Sequence, residues 1–227
     1  MAQDVSLFAR IRKVLEGVDA ESPGNSGEEL TLTPQLELLI AQGCTPYSEI
    51  VRVGRAFHVN TTTAVAAVVA IPTTAVMFAL YNNEPDGGRT YFIDWVAAQN
   101  VVSTAVICQA QLLGLVGQLR EATPTDGALI IKKANGLGSG NDTRARTILT
   151  ATALPATTGL QTNWIPIGPS VTKPSAAATP GYGLWQEVNG RFMVPPGRYF
   201  AMHVIANVVG ETFQGFIGWH EKQTVLG

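Results

Sequence analysis

The feature that most constrains this 227-residue chain is a change of hydrophobic period after Tyr47. Before that point, apolar residues recur every three or four positions, as in an amphipathic helix. After it, short apolar or alternating segments are separated by clusters of Gly, Pro, Asn and Asp. Such spacing predicts about eight to ten β-strands. We therefore expect residues 46–227 to form an all-β body, an antiparallel β-sandwich or jelly roll.

Three stretches of this body need separate comment. Asn189-Gly190 is predicted to form a hairpin turn between strands at 184–188 and 191–194. Residues 155–183 contain five prolines and are predicted to be a loop. Residues 101–119 fit a helix by spacing, but Gly114, Gly117 and several β-branched residues favour strand, so both possibilities stay open.

Residues 1–45 are predicted to form an N-terminal arm. The arm comprises a helix over 5–18, a flexible linker over 17–29 and a short helix over 34–42. The first helix carries an apolar stripe, whose members are Leu7, Phe8, Ile11, Leu15 and Val18. This stripe either packs on its own body or docks on a neighbouring subunit, and both interpretations stay open.

Composition excludes several classes of protein. Charged residues make up 14% and the net charge is −2, so neither disorder nor a strongly basic nucleic-acid binder is expected. Cys44 and Cys108 are too few for a disulfide scaffold. The uncharged run 64–80 is interrupted by Pro72, so it predicts two buried strands and no membrane span.

No catalytic, metal-binding or cofactor-binding residue is predicted, and we expect no enzymatic activity. His203 follows a Gly as in a cupin-type metal site, but Ile205 stands where the second His should be, and Glu211 lies too far along. Carboxylates are scarce in the β body, and most fall in turns, where they are expected to be solvated. Asp94 lies within a strand and could be functional, but the favoured expectation is that it is exposed or paired with an Arg. A cupin-like metal enzyme is the third and weakest functional hypothesis.

The four tryptophans, Trp95, Trp164, Trp185 and Trp219, could form a sugar-stacking platform, but packing is the favoured interpretation for three of them. Trp95, Trp185 and Trp219 lie on predicted strands and are expected in a core or an interface. Trp164 and Tyr182 lie in the Pro-rich loop and are the predicted surface-contact residues.

The two ends of the body resemble a known kind of protein. The module Gly190-Arg-Phe-Met-Val-Pro-Pro-Gly-Arg-Tyr199, running to Gly215-Phe-Ile-Gly-Trp-His-Glu221, is similar to the last strands of β-sandwich virion proteins of bacteriophages. In those proteins a V-P-P-G corner leads into a long strand, and a Trp-x-Glu strand closes the sheet. The stretch Pro46-Tyr-Ser-Glu-Ile-Val-Arg-Val-Gly-Arg-Ala-Phe57 is similar in style. The resemblance covers about a quarter of the chain and carries no catalytic residues with it.

The resemblance and the low charge together suggest a bacteriophage or virus structural protein: a capsid, decoration or vertex/spike component. Its expected location is the virion, assembled in the host cytoplasm. Its expected partners are other copies of itself, in a closed ring for which a trimer is favoured, and other virion proteins. The alternative hypothesis is a host-glycan or receptor-binding module that uses loops 134–143 and 155–183.

Overall fold

A computed structural model describes residues 50–72, 76–117, 129–137, 143–149, 164–173 and 175–223. These residues belong to a compact unit, Ser48–Gly227. The predicted arm 1–45, with its helices over 5–18 and 34–42 and its linker over 17–29, lies outside the described residues and stays a prediction.

The described residues form eleven strands and very little helix. Their bounds are β1 Ala56–Asn60, β2 Val65–Ala66, β3 Phe78–Asn82, β4 Arg89–Val102, β5 Gln109–Gly117, β6 Lys132–Lys133, β7 Ala145–Leu149, β8 Ile165–Thr172, β9 Gly183–Val194, β10 Tyr199–Ala206 and β11 Thr212–Gln223.

The strands pair into two antiparallel sheets. In the first sheet the order is β6-β1-β11-β4-β9, with β2 also pairing with β11; in the second it is β7-β3-β10-β5-β8. Eight of these strands, β1-β11-β4-β9 against β3-β10-β5-β8, follow the strand order of a jelly roll. The predicted all-β antiparallel sandwich is therefore confirmed. The edge strands β6 and β7 both come from the long connection between β5 and β8.

The hydrophobic core fills the space between the sheets. Every second side chain of β10 and β11 points into it, because successive residues of a strand face opposite sides. Phe57 stacks on Trp219 within the first sheet, at 5.7 Å between ring centroids. Phe192 of the first sheet meets Phe200 of the second at 5.3 Å, which joins the two layers.

The corner between β9 and β10 is formed as the V-P-P-G pattern predicts. The backbone N–H of Arg198 donates to the carbonyl of Pro195 at 3.1 Å. Gly197 has a φ of 73°, which glycine adopts without steric strain. Pro196 suits the position before it, because proline is favoured there in a tight turn with glycine next.

Two of the predicted local structures are wrong. Asn189-Gly190 does not end a strand: both residues have positive φ, 51° and 73°, and they lie inside β9, where they bulge beside Asp94. A turn-forming dipeptide can make a bulge when both flanking segments pair with the same strand, here β4. The predicted loop 155–183 contains β8, whose Pro166 and Pro169 are tolerated because β8 is an edge strand that pairs with β5 alone.

Within the described part of the ambiguous stretch, residues 101–117, the structure has strand and no helix. Its first two residues finish β4, a short connection follows, and β5 occupies Gln109–Gly117. Neighbouring side chains leave no room for a Cβ at Gly114 or Gly117. A Cβ on Gly117 would lie 2.0 Å from Cζ of Tyr199, its cross-strand partner.

This close approach gives a test of the packing. We expect Gly117→Ala to lower the free energy of unfolding by about 1–3 kcal/mol, because the buried Tyr199 ring must move. Urea unfolding followed by circular dichroism measures the change. The matched control is Gly183→Ala, whose new Cβ meets the tip of the exposed Gln99 at 3.0 Å. Equal stability of the two variants would contradict the packing described.

Candidate interaction face

The outer face of the first sheet carries aromatic side chains that point away from the core. They alternate along their strands with buried core residues, and the exposure of the set ranges from half-buried to exposed. We call this set the aromatic face; its members are Phe92, Trp95, Trp185, Phe216 and His220.

Two tryptophans form the centre of the aromatic face. Trp95 and Trp185 stack with ring centroids 4.7 Å apart and an interplanar angle of 17°. Trp95 lies over Gly218, its partner on β11, where a Cβ would come within 2.2 Å of the indole Nε1. Glycine at 218 is therefore required for the ring to lie flat on the sheet. Trp185 is 60% exposed, so one side of the stack is open to solvent.

A second ring pair lies beside the tryptophans. Phe92 stacks on the imidazole of His220 at 5.1 Å and 10°. Nδ1 of His220 lies 2.8 Å from Oδ1 of Asp94, a residue that is 8% exposed. The expectation that Asp94 is exposed or paired with an Arg is wrong. The bulge of β9 beside it leaves room for the carboxylate to turn toward His220.

Polar side chains border the aromatic face on one side. Gln99 on β4 is directly opposite Gln214 on β11 and Gly183 on β9. Glu187 on β9 is opposite Trp95 and is exposed. Among the described residues, the Glu187 carboxylate has no hydrogen-bond partner. The rim therefore offers amides and one free carboxylate next to the open indole.

The outer face of the second sheet differs, because its side chains are buried. These residues form a cluster of their own around Trp164: Val76, Ala79, Tyr81, Leu113, Leu115, Tyr199 and Ala201. His203 lies on the same face, between Ala201 and Ile205, and is 2% exposed. Burial lowers the pKa of His203 to about 4, so the imidazole is neutral at physiological pH.

A buried ionic cluster closes one end of the sandwich. Nζ of Lys173, just after β8, lies 3.3 Å from Oε1 of Glu211, just before β11, and the two side chains are 2% and 0% exposed. Lys173 also donates to Oγ of Ser103 at 2.9 Å and to the carbonyl of Thr104. The cluster therefore ties the β4–β5, β8–β9 and β10–β11 connections together.

The Glu211 carboxylate accepts hydrogen bonds from every side. Thr104 donates through its N–H at 2.9 Å and its hydroxyl at 2.7 Å, and Asn100 donates through Nδ2 at 2.9 Å. Burial alone raises the pKa of this carboxyl, but the donors at Thr104, Lys173 and Ser103 outweigh it and hold the pKa below its usual 4.5. Glu211 is therefore an exception to the expectation that most carboxylates of the body are solvated.

Tyr182 joins the same cluster. Its hydroxyl lies 3.4 Å from Oε2 of Glu211 and 3.4 Å from Sγ of Cys108, and its ring packs edge-on against Phe213. Burial raises the pKa of the Tyr182 hydroxyl and that of the Cys108 thiol, so both groups are neutral at pH 7. The hydrogen bonds of the cluster hold the charged groups of Lys173 and Glu211 in fixed positions, and we assign the cluster a structural role.

The structure distributes the predicted site residues differently from the sequence-based expectation. Trp164 is 9% exposed and donates its indole N–H to the carbonyl of Pro72 at 3.0 Å. Tyr182 is half-buried at the ionic cluster. That either residue contacts a partner stays a prediction. The stripe residues Leu7, Phe8, Ile11, Leu15 and Val18 lie outside the described residues.

Sequence reasoning missed the most exposed of the described tryptophans, Trp185, and the buried Lys173. Alternation along β9 placed Trp185 on a strand, but the side of the sheet it faces depends on the pairing of β9 with β4. Lys173 follows an edge strand that was expected to be loop. The sequence signal for the exposure of Trp185 was its position between Gly183 and the polar Gln186.

In the described ranges, no group of three or more His, Cys, Asp or Glu side chains is arranged to hold a metal ion. His203 and Glu211 are not brought together: the first faces outward on the second sheet and the second binds Lys173. No helix within the described residues is long and apolar enough to span a membrane.

Comparison with known proteins adds no relative. No protein-family model matches the chain, and no curated protein matches it.

The ionic cluster gives a test of stability. Glu211→Gln leaves Lys173 buried without its counter-charge, so we expect about 3–5 kcal/mol less free energy of unfolding at pH 7. The contribution of Glu211 is present above pH 4.5 and is lost as the pH falls through its lowered folded-state pKa, so the two proteins should converge in acid. Denaturant unfolding at pH 7 and at a series of lower pH values measures both effects. Glu187→Gln, at an exposed position, is the control; an E211Q protein as stable as wild type at pH 7 contradicts the cluster's role.

His203 gives a second, separate pH effect. Its folded-state pKa is lowered from 6.5 to about 4, so the unfolded chain takes up a proton first and stability falls between these two values. The loss amounts to up to about 3 kcal/mol, at about 1.4 kcal/mol per pKa unit. We expect His203→Leu to remove this decline between pH 6.5 and 4, as measured by unfolding at four pH values. A parallel decline in variant and wild type would show that another group titrates.

Proposed function

We propose that the protein is a virion structural protein, a capsid, decoration or vertex/spike component, that acts by self-association and by docking its N-terminal arm on a neighbouring subunit. The observation that carries the proposal is the strand order β1-β11-β4-β9 against β3-β10-β5-β8. Viral capsid proteins use this jelly-roll order, and lectins and cupins share it. The choice among these classes is made by side-chain chemistry.

The chemistry of the described residues favours a structural role over a cupin-like enzyme. In a cupin-type site the ligands would converge between the sheets, whereas His203 faces outward on the second sheet and Glu211 is saturated by hydrogen bonds at one end. The buried ionic cluster stabilises the connections between strands. A sandwich whose strand connections are tied together at one end suits a building block that must present fixed surfaces to its neighbours.

The arm supplies the proposed contact between subunits. Its stripe of Leu7, Phe8, Ile11, Leu15 and Val18 is expected to bury apolar surface on a neighbour, while the linker over 17–29 provides reach. A tethered apolar helix that docks on the next copy generates a closed ring when the rotation closes, for which a trimer is the favoured number.

The arm gives the decisive test. We expect the double variant Ile11→Asp, Leu15→Asp, made in the full chain, to shift wild-type oligomers to monomers in mass photometry, because carboxylates on the stripe cannot be buried. Arg12→Asp adds a carboxylate off the stripe and should leave assembly unchanged. Circular dichroism checks that the β body is folded. A wild-type chain that is monomeric at all concentrations, or assembly unchanged by the double variant, contradicts the proposal.

A further inference from the structure

The Trp95–Trp185 stack is open to solvent on the side of Trp185. An indole that is 60% exposed leaves a large apolar surface in water, although the other members of the aromatic face are half-buried. The ring is nonetheless held in place, because Trp95 stacks beneath it at 4.7 Å and Trp95 itself lies flat over Gly218. A fixed, flat, exposed ring is already arranged for a ligand with a flat apolar side.

The groups around the ring define the second half of the ligand. Glu187 is two residues along β9 from Trp185, and Gln99 is diagonal to it on β4, both about 7–8 Å away between Cα atoms. Gln99 makes one hydrogen bond at the limit of distance, 3.5 Å, to the carbonyl of Tyr182, so its amide is easily released. These groups form hydrogen bonds with hydroxyls, and the free carboxylate repels an anionic ligand.

We propose that the open face of Trp185, bordered by Glu187 and Gln99, binds a neutral pyranose ring of a glycan. The C–H side of the sugar stacks on the indole, whose π-face is electron-rich, and the sugar hydroxyls hydrogen-bond to the carboxylate and the amide. The site lies on the sheet and not in loops 134–143 and 155–183, where the sequence-based alternative placed glycan contact. The proposal goes beyond a virion role and does not depend on it.

The rim also decides against a second copy of the chain as the occupant. A face-to-face contact of two identical surfaces would bring the Glu187 carboxylate of each copy against aromatic rings, and burying a carboxylate without a counter-charge is costly. Hydroxyl groups of a sugar satisfy the same carboxylate while it stays partly hydrated. The observed combination of an open indole with a carboxylate and an amide therefore fits a sugar better than another sheet.

The test uses the full chain and simple neutral sugars. Methyl β-D-galactopyranoside and methyl α-D-glucopyranoside are titrated while tryptophan fluorescence and saturation-transfer NMR are recorded, and an array of neutral glycans is probed in parallel. We expect saturable binding of at least one pyranoside by the wild type. We expect binding at least tenfold weaker in Trp185→Ala, a smaller loss in Trp185→Phe, and a loss in Glu187→Gln.

The matched control is Met193→Ala, which removes an exposed apolar side chain from the same strand and should leave binding unchanged. No saturable binding of either pyranoside together with a blank neutral array overturns the proposal. So does equal binding by Trp185→Ala and wild type, or tighter binding of N-acetylneuraminic acid than of the neutral sugars. A change of oligomeric state in Trp185→Ala would instead assign the face to another copy or to the arm. Failure here is separate from failure of the arm variants, which report on assembly and not on sugar binding.

Discussion

The structure depends on the burial of alternate side chains between a six-stranded sheet and a five-stranded sheet. Each strand contributes every second residue to this space, and each fully buried aromatic or aliphatic side chain adds about 1.5–3 kcal/mol to stability. The layers meet through contacts such as Phe192 on Phe200. Because the period of a strand is two, the same pairing that buries the inner set also determines the outer set. The aromatic face is thus a consequence of the core's register.

Sandwich ends pose a different problem, since strand connections cannot bury apolar surface as sheets do. In this protein one end is held by a buried ion pair between Lys173 and Glu211, with hydroxyl and amide donors completing the carboxylate's shell. An isolated buried charge is costly, and a buried pair is stable only when its remaining hydrogen bonds are made. The convergence of three connections on one carboxylate meets that requirement and keeps the loops in place.

The two outer faces of the sandwich differ in the burial of their side chains. The second sheet's outer face is buried around Trp164, whereas the first sheet presents a fixed indole with a polar rim. The proposed sugar site uses the first sheet, and the proposed assembly uses the apolar stripe of the arm. The jelly-roll fold is compatible with both proposals, because function depends on the side chains of a site and not on the fold alone.

The sequence by itself determined the all-β class, the jelly-roll expectation and the corner at Pro195-Pro196-Gly197, because alternation and turn chemistry are local properties. It also indicated that Trp185 lies on a strand. It misplaced Asn189-Gly190 and the strand β8, since whether a turn dipeptide reverses the chain and whether prolines are tolerated depend on which strand lies next to them. Only the tertiary structure decided that Glu211 is buried beside Lys173 and that Trp185 stacks on Trp95. Those contacts join residues far apart in the chain, and pairing between strands, rather than any local pattern, brings them together.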